Sequence, residues 1–257
     1  MAGCQPAVRL YLPKPATATG GTPFYKKAFP MNWRQRDSLV LEEVLEGNVP
    51  PFLLKMVPVP VSLFDSLSGK TIYAVYYVTP DYLSVGTNED WTRINITPMA
   101  AQRIADSLHC FLPTRKMVDD IYKAAKVKLE PVPMYAYRDS TPTMYQHHLI
   151  IEGQRKGRTG LIAGIKKDVV ISGAVTRNAK PDRLAIYGWH MPDGKPIQPL
   201  YTGHVNWWVD YSQGIRLVYR KIRVEGKWMD YESVLSDPRL KGLLCDEPYC
   251  DHYRYSY

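Results

Sequence analysis

The order of helix and strand signals along the chain is the feature that most limits its fold. Between residues 36 and 155 apolar residues recur mainly at helical spacing, whereas beyond residue 160 short strand-like runs alternate with turn residues. Helices followed by a crowded antiparallel region are typical of an α+β domain with its helices on one side of the sheet. We therefore predict one α+β domain over residues 24–257, in which first-half helices pack on a mainly antiparallel second-half sheet.

Several elements carry clear boundary signals. Thr97, followed by proline, and Thr114 are predicted to open two helices, because threonine caps a helix start and proline fits its first turn. A further helix is predicted over residues 36–46, and another from Thr141, which also precedes a proline. Residues 71–79, TIYAVYYVT, have the strongest strand composition in the chain, so we predict a strand there.

The first 23 residues differ from the rest in composition. They are rich in Pro, Thr and Gly, which predicts a flexible tether that is dispensable for folding. Ala2-Gly3-Cys4 resembles the cleavage box of bacterial lipoproteins, in which the cysteine carries a lipid; no charged and apolar leader precedes it. No transmembrane segment is recognisable. We expect an exported protein, periplasmic or at the cell surface, whose membrane contact is a lipid on Cys4.

The other cysteines have separate roles. Cys245 and Cys250 bracket a turn-prone spacer, and a disulfide between them is predicted in an oxidising compartment. Cys110 is then a free thiol among apolar neighbours, so we predict a buried structural residue.

Charge and aromatic content bear on the class of partner. The chain carries a formal net charge of +8, which favours polyanionic partners. Its basic residues are scattered and form no helical stripe, so nucleic acid is not expected. The 19 tyrosines outnumber the 5 phenylalanines, and tyrosine suits half-wet clefts that bind sugars or peptides. A polymeric glycan or peptidoglycan is the expected partner; the oligomeric state is left open.

Residues 187–217 hold the densest group of candidate functional residues, including two of the six histidines and three of the six tryptophans. Residues 203–211 are predicted to form a strand, with His204 and Asp210 on one face but roughly 20 Å apart. A hairpin turn after this strand would place Asp210 opposite Arg216. An ion pair between those two residues therefore competes with a catalytic role for Asp210.

The hydrolase hypothesis uses His204 or His190 as general acid/base, because the pKa of histidine is close to ambient pH. Both imidazoles are expected in one cleft, with His204 the preferred proton-transfer group. No cofactor is predicted. The candidate catalytic residues are His204, His190, Asp210, Lys167 and Asp168. The candidate substrate-binding residues are Tyr187, Trp189, Trp207, Trp208, Tyr211, Arg115 and Arg216.

Three alternatives stay open. Cys110 before a helix, with a histidine on the following sheet, resembles the element order of NlpC/P60-type cell-wall peptidases, although Cys110 lies three residues before Pro113 and not in the helix's first turn. A metal site could combine His190, His204 and a carboxylate, but no HExxH motif is present. An aromatic, basic, surface-tethered domain could also bind glycans without catalysis.

Five further stretches each have a distinctive sequence. Together they resemble an uncharacterised group of exported bacterial proteins, a resemblance that implies export and no particular reaction. The stretches are LPTRKMVD at 112–119, KKDVV at 166–170, YGWH at 187–190, IQPL at 197–200 and VDYSQGIRL at 209–217.

Overall fold

A computed structural model describes residues 6–15 and 17–257 and confirms the predicted α+β class. Helices lie in both halves of the chain but concentrate in the first. They are α1 (Gly21–Ala28), α2 (Trp33–Leu45), α3 (Pro98–Ser107), α4 (Arg115–Ala124), α5 (Thr141–Arg155), α6 (Gly173–Thr176) and α7 (Tyr231–Ser236), followed by a 3-10 helix at Lys241–Leu243.

The strands form two main sheets and two short two-stranded ones. The strands are β1 (Val57–Asp65), β2 (Lys70–Val78), β3 (Ser84–Gly86), β4 (Trp91–Arg93), β5 (Cys110–Phe111), β6 (Val127–Lys128), β7 (Ile162–Ala163), β8 (Lys167–Val170), β9 (Ala185–His190), β10 (Pro196–Tyr201), β11 (Gln213–Gly214), β12 (Val218–Tyr219), β13 (Lys221–Val224) and β14 (Lys227–Asp230). The larger sheet has the order β14-β13-β2-β12-β5, with β1 paired to β2. The second has the order β10-β9-β8-β11, in which β11 and β8 run parallel.

One apolar core joins the helices to both sheets. Val40 of α2 and Ile104 of α3 are fully buried in it. Val78 of the larger sheet and Ile186 of the second sheet belong to the same cluster. The second sheet, which carries five of the twelve candidate site residues, is therefore anchored to the main core.

The helix starts predicted at Thr97 and Thr114 are confirmed, whereas the helix predicted over residues 36–46 begins three residues earlier, at Trp33. The hydroxyl of Thr97 accepts a hydrogen bond from the Ala100 amide and caps α3, and Thr114 caps α4 in the same way through the Met117 amide. Strand β2 coincides with the predicted strand to within one residue at each end. Each helix cap depends on residues within one helical turn, and tertiary packing does not alter it.

The prediction of a strand over residues 203–211 is wrong. Only Val205 makes an isolated bridge there, and the rest consists of bends and turns. The side-chain amide of Asn95 donates to the carbonyls of Asp210 and Tyr211, so a side chain satisfies backbone groups that a strand partner would otherwise satisfy. Asp210 consequently does not face Arg216; it pairs with Arg138 at 2.8 Å.

The described part of the segment before residue 23 packs against the rest of the domain. Leu10 is buried, its amide donates to the Leu54 carbonyl at 2.9 Å, and the Met56 amide donates to the Val8 carbonyl. Helix α1 begins at Gly21, inside the predicted tether. The tether prediction is thus corrected for these residues, because a few apolar side chains suffice to hold the segment. Cys4 lies outside the described residues.

Deleting residues 1–20 is expected to lower the melting temperature by about 3–12 °C. Burying a leucine side chain contributes about 1.5–3 kcal/mol, and one kcal/mol corresponds to about 2–4 °C for a domain of this size. Thermal unfolding followed by circular dichroism measures the change. Tyr11→Ala is the control, because Tyr11 is 86% exposed, and it should leave the melting temperature nearly unchanged. A truncated protein that melts at the same temperature as the full chain would restore the tether interpretation.

Candidate functional site

The second sheet separates the two candidate histidines. Lys167 and Asp168 are neighbours in β8, so their side chains point to opposite faces. Burial raises the pKa of Asp168 to about 6; the charge of Arg216, the Tyr82 hydroxyl and, least, His190 on the same face oppose that rise. Burial lowers the pKa of His204, which lies near Asp210 and Lys167 on the other face. The expectation of one cleft shared by both imidazoles is therefore wrong.

His190 forms a hydrogen-bonded group with two neighbours, which we call the Asp119 triad (Asp119, Tyr187 and His190). The Nε2 atom of His190 is 2.7 Å from Oδ1 of Asp119. The hydroxyl of Tyr187 donates to the same carboxylate, at 3.0 Å from Oδ1 and 3.1 Å from Oδ2. The ring of Tyr122 stacks on the imidazole with 4.5 Å between centroids. Tyr187 and His190 of β9 are thus both held by the Asp119 carboxylate of α4.

An irregularity in β9 makes the triad possible. Residues three apart in a regular strand face opposite sides of the sheet, yet Tyr187 and His190 both reach Asp119. Gly188 and Trp189 have positive φ values, 106° and 60°, which turn the strand and reverse the alternation. A Cβ on Gly188 would lie 3.0 Å from a methyl carbon of Val118, so glycine also permits the close approach of α4.

The carboxylate of the Asp119 triad faces an open cleft of about 430 Å³. The side chain of Asp119 is 30% exposed and that of His190 only 3%. A ligand in the cleft would therefore contact the carboxylate, and the imidazole is buried behind it. The ammonium of Lys128 sits 4.8 Å from the centroid of the Tyr122 ring at the cleft wall. A proton can therefore pass between ligand and His190 through Asp119, which is the arrangement of an acid/base pair.

Asp119 was not among the site residues predicted from the sequence. It lies in a helix beside apolar residues that face the core, where a lone aspartate reads as a solvated surface charge. The sequence signal that could have identified it is the irregular Gly188-Trp189 pair. That irregularity turns two polar aromatic side chains of one strand towards the same helix.

On the opposite face several predicted site residues do come together. Lys167 lies 5.0 Å from the centroid of the Trp189 ring, and His204 stacks on Trp208 with centroids 6.0 Å apart. The Asp210 carboxylate, however, is occupied by Arg138 and by the amide and hydroxyl of Ser212. Within residues 6–15 and 17–257, no carboxylate forms a hydrogen bond with His204. The geometry therefore favours His190 over His204 as the proton-transfer residue, the reverse of the sequence-based preference.

The remaining predicted residues have structural partners. The guanidinium of Arg216 is buried and donates to two backbone carbonyls, those of Thr79 and Ile162, while Asp168 accepts from the Tyr82 hydroxyl at 2.8 Å. The hydroxyl of Tyr211 accepts the Met134 amide at 2.7 Å. These contacts hold loops and strands together, and none of these residues lines the cleft of the Asp119 triad.

Arg115 and Trp207 also lie outside that cleft. Arg115 pairs with Asp246 at 2.8 Å, next to the predicted disulfide between Cys245 and Cys250, which is present in the structure. Trp207 lines a different cleft beside α2. The structure therefore distributes the predicted substrate-binding residues over more than one surface.

Cys110 is buried in β5, and burial raises the pKa of its thiol above the ordinary value. Its Sγ donates to the Leu108 carbonyl at 3.4 Å. A buried thiol that stays protonated is a poor nucleophile. The structural role predicted for Cys110 fits these contacts, and the cysteine-hydrolase alternative gains no support from them.

A second group of charges is buried near the loop that contains Tyr211. Arg93 donates to both oxygens of Asp81, at 2.8 and 2.6 Å, and lies 2.9 Å from Glu152. The ammonium of Lys166 donates to the Tyr211 carbonyl. Burial, together with the charge of Arg93, lowers the pKa of Lys166 to about 7. These interior charges make the stability of the fold dependent on pH.

Raising the pH from 7 to 9 is expected to stabilise the protein through Lys166. The folded pKa lies near 7 and the ordinary value is 10.5, so between these limits the unfolded chain binds more protons and stability rises with pH. Below pH 7 both states are protonated and the full cost of the buried charge remains. The gain is on the order of 2 kcal/mol, measurable by urea unfolding at each pH.

The variant Lys166→Met should abolish this rise, because no ammonium remains to lose its proton. Lys70→Met, at an exposed position in β2, is the matched control and should keep it. A rise of equal size in the Lys166→Met protein would assign the pH dependence to other groups.

Comparisons with known proteins add no family to this geometry: no protein-family model matches the chain, and neither a curated protein nor a solved structure matches it. Among the residues that the structure describes, no three His, Cys, Asp or Glu side chains meet in a group that could hold a metal ion. In the same residues no helix is long and apolar enough to cross a membrane.

Proposed function

We propose that the chain is a hydrolase in which the Asp119 triad is the acid/base unit. The observation that carries the proposal is the hydrogen-bonded Asp119–His190 pair at an open cleft, with a second donor from Tyr187 that fixes the carboxylate. In its protonated form the pair gives a proton to the leaving oxygen of the substrate. The carboxylate form accepts a proton from the attacking water, and His190 balances the change of charge.

The cleft favours glycosidic bonds as the target. Glycoside hydrolysis typically uses two carboxyl groups, and Asp193 lines the same cleft as Asp119. A turn positions Asp193, since one of its carboxylate oxygens accepts the Lys195 amide at 2.9 Å. The described residues that line the cleft include no Ser, Thr or Cys that could act as a nucleophile in acyl transfer. Acyl transfer through a serine, threonine or cysteine nucleophile is therefore not part of the proposal.

The proposed substrate is a polymeric glycan of the cell envelope or the extracellular space. The net charge of +8 favours an acidic polymer, and the Cys245–Cys250 disulfide is compatible with export to an oxidising compartment. Export and a lipid on Cys4 belong to this proposal. The second candidate function is glycan binding without catalysis, which the three tryptophans at the cleft beside α2 favour.

The test is the release of reducing ends from a panel of polymers by the purified full chain. The panel comprises peptidoglycan sacculi, a polyuronate and a neutral β-glucan, each incubated with wild-type protein and with Asp119→Asn. We expect wild-type protein to release reducing ends from at least one polymer and the variant to release almost none. Folded wild-type protein that releases none from any of them would refute the hydrolase and leave the binding function.

A further inference from the structure

We propose that a cleft beside α2 binds a uronic acid residue, a pyranose that carries a carboxylate. We call it the tryptophan cleft, after the four residues that carry the argument: Trp33, Arg36, Trp207 and Trp208. It encloses about 520 Å³, and it shares none of its lining residues with the cleft of the Asp119 triad. This binding site rests on the proposed function only for the class of ligand, a glycan, and is independent of the proposed catalysis.

Three indole rings meet at this cleft although they come from distant parts of the chain. Trp33 is the first residue of α2, and Trp207 and Trp208 belong to the irregular loop that replaces the predicted strand. Trp207 is 45% exposed, so a large apolar face is available. The Nε1 donor of Trp208 is buried and has no partner among the described residues. Aromatic faces with a nearby donor suit a sugar ring, which offers apolar C–H groups and hydroxyls.

Arg36 supplies the charge that selects an acidic sugar. Its side chain is only 4% exposed, yet it lines the cleft. Nε donates to the Asn95 carbonyl at 3.1 Å and Nη1 to the Thr141 hydroxyl at 3.0 Å. Nη2 makes no hydrogen bond with any residue in the described part of the chain. A buried guanidinium with a spare donor is pre-organised for a carboxylate, which accepts charge-assisted hydrogen bonds.

The cleft also carries groups that can accept hydrogen bonds from sugar hydroxyls. Asp139 and Ser140 line it. Burial lowers the pKa of Arg36, and Tyr25 and the charges of Asp37 and Asp139 oppose that shift. Among the described residues neither of these carboxylates hydrogen-bonds to the guanidinium, whose side-chain partners are the Asn95 carbonyl and the Thr141 hydroxyl. A uronate can therefore place its carboxylate at Arg36 and its hydroxyls at Asp139. A neutral pyranose would give the Nη2 donor of Arg36 no charged acceptor and should bind more weakly.

The experiment is calorimetric titration of the full chain with a galacturonic acid trimer and with the same trimer after reduction of its carboxyl groups. We expect the acidic trimer to bind at least about tenfold more tightly than the neutral one. Trp207→Ala should weaken the acidic trimer by at least about tenfold. Trp228→Ala is the matched control: Trp228 is 46% exposed in β14, outside the cleft, and its loss should leave binding unchanged.

Arg36→Gln should remove the preference for the acidic trimer. Because Arg36 also holds Asn95 and Thr141, circular dichroism must first show that this variant is folded; the comparison of the two trimers on wild-type protein does not depend on it. Equal affinity for both trimers, no binding of either, or an unchanged affinity in Trp207→Ala would overturn the proposal. Hydrolysis of a polyuronate without trimer binding overturns this site alone, whereas trimer binding without hydrolysis of any polymer overturns only the catalytic proposal.

Discussion

Asp119→Asn is expected to lower turnover of the glycan substrate by roughly 10²–10⁴-fold, the usual contribution of general acid/base catalysis. The amide has the shape of the carboxylate and can still accept the Tyr187 hydroxyl. It cannot carry a proton between the ligand and His190, to which the native carboxylate is bonded at 2.7 Å. Because the change removes chemistry and little packing, kcat should fall much more than KM rises.

Asp120→Asn is the matched control for this loss. Asp120 is the next residue of α4, but its carboxylate pairs with Lys116 at 2.6 Å and does not line the cleft. Its replacement should change kcat by less than about threefold, since a partly exposed i,i+4 pair contributes about 0.3–0.5 kcal/mol. His190→Gln should resemble Asp119→Asn, while His204→Ala should stay near wild type. A large loss in His204→Ala with normal activity in His190→Gln would transfer the acid/base role to the opposite face.

The elements that could be predicted from the sequence are those set by local physics. The caps at Thr97 and Thr114 act within one helical turn, so the sequence shows the donors and acceptors together. Strand β2 follows from its β-branched and aromatic residues. The strand prediction for residues 203–211 failed because the side chain of Asn95, more than a hundred positions earlier, hydrogen-bonds to backbone carbonyls that a neighbouring strand would otherwise pair with. Nothing near that segment in the sequence reveals such a partner.

The candidate site was predictable only in part for the same reason. His190 and Tyr187 could be identified as polar aromatic residues beside a glycine, but their shared partner comes from a helix about seventy residues earlier. In a regular strand Tyr187 and His190 would lie on opposite faces, and the positive φ values of Gly188 and Trp189 reverse that placement. His190 and His204 were grouped because they are close in sequence, but they lie on opposite faces of the sheet.

Arg93→Met is expected to destabilise the fold by about 3–5 kcal/mol, the usual cost of leaving one buried charge without its partner. Arg93 and Asp81 are both almost completely buried, and the guanidinium donates to both carboxylate oxygens. Removing the arginine leaves Asp81 without its counter-ion in the interior. For a chain of this size the melting temperature should fall by roughly 6–20 °C, measured by thermal unfolding.

Two further variants separate loss of charge from loss of packing. Arg93→Met combined with Asp81→Leu should recover much of the lost stability, because an apolar pair of similar volume often replaces a buried ion pair at little cost. Arg177→Met breaks the exposed pair of Arg177 and Asp251, 2.6 Å apart, and should leave the melting temperature nearly unchanged, because exposed ion pairs contribute little to stability. If the double variant is no more stable than Arg93→Met alone, the loss reflects packing around the guanidinium and its contact with Glu152, and the charge of Asp81 is not its cause.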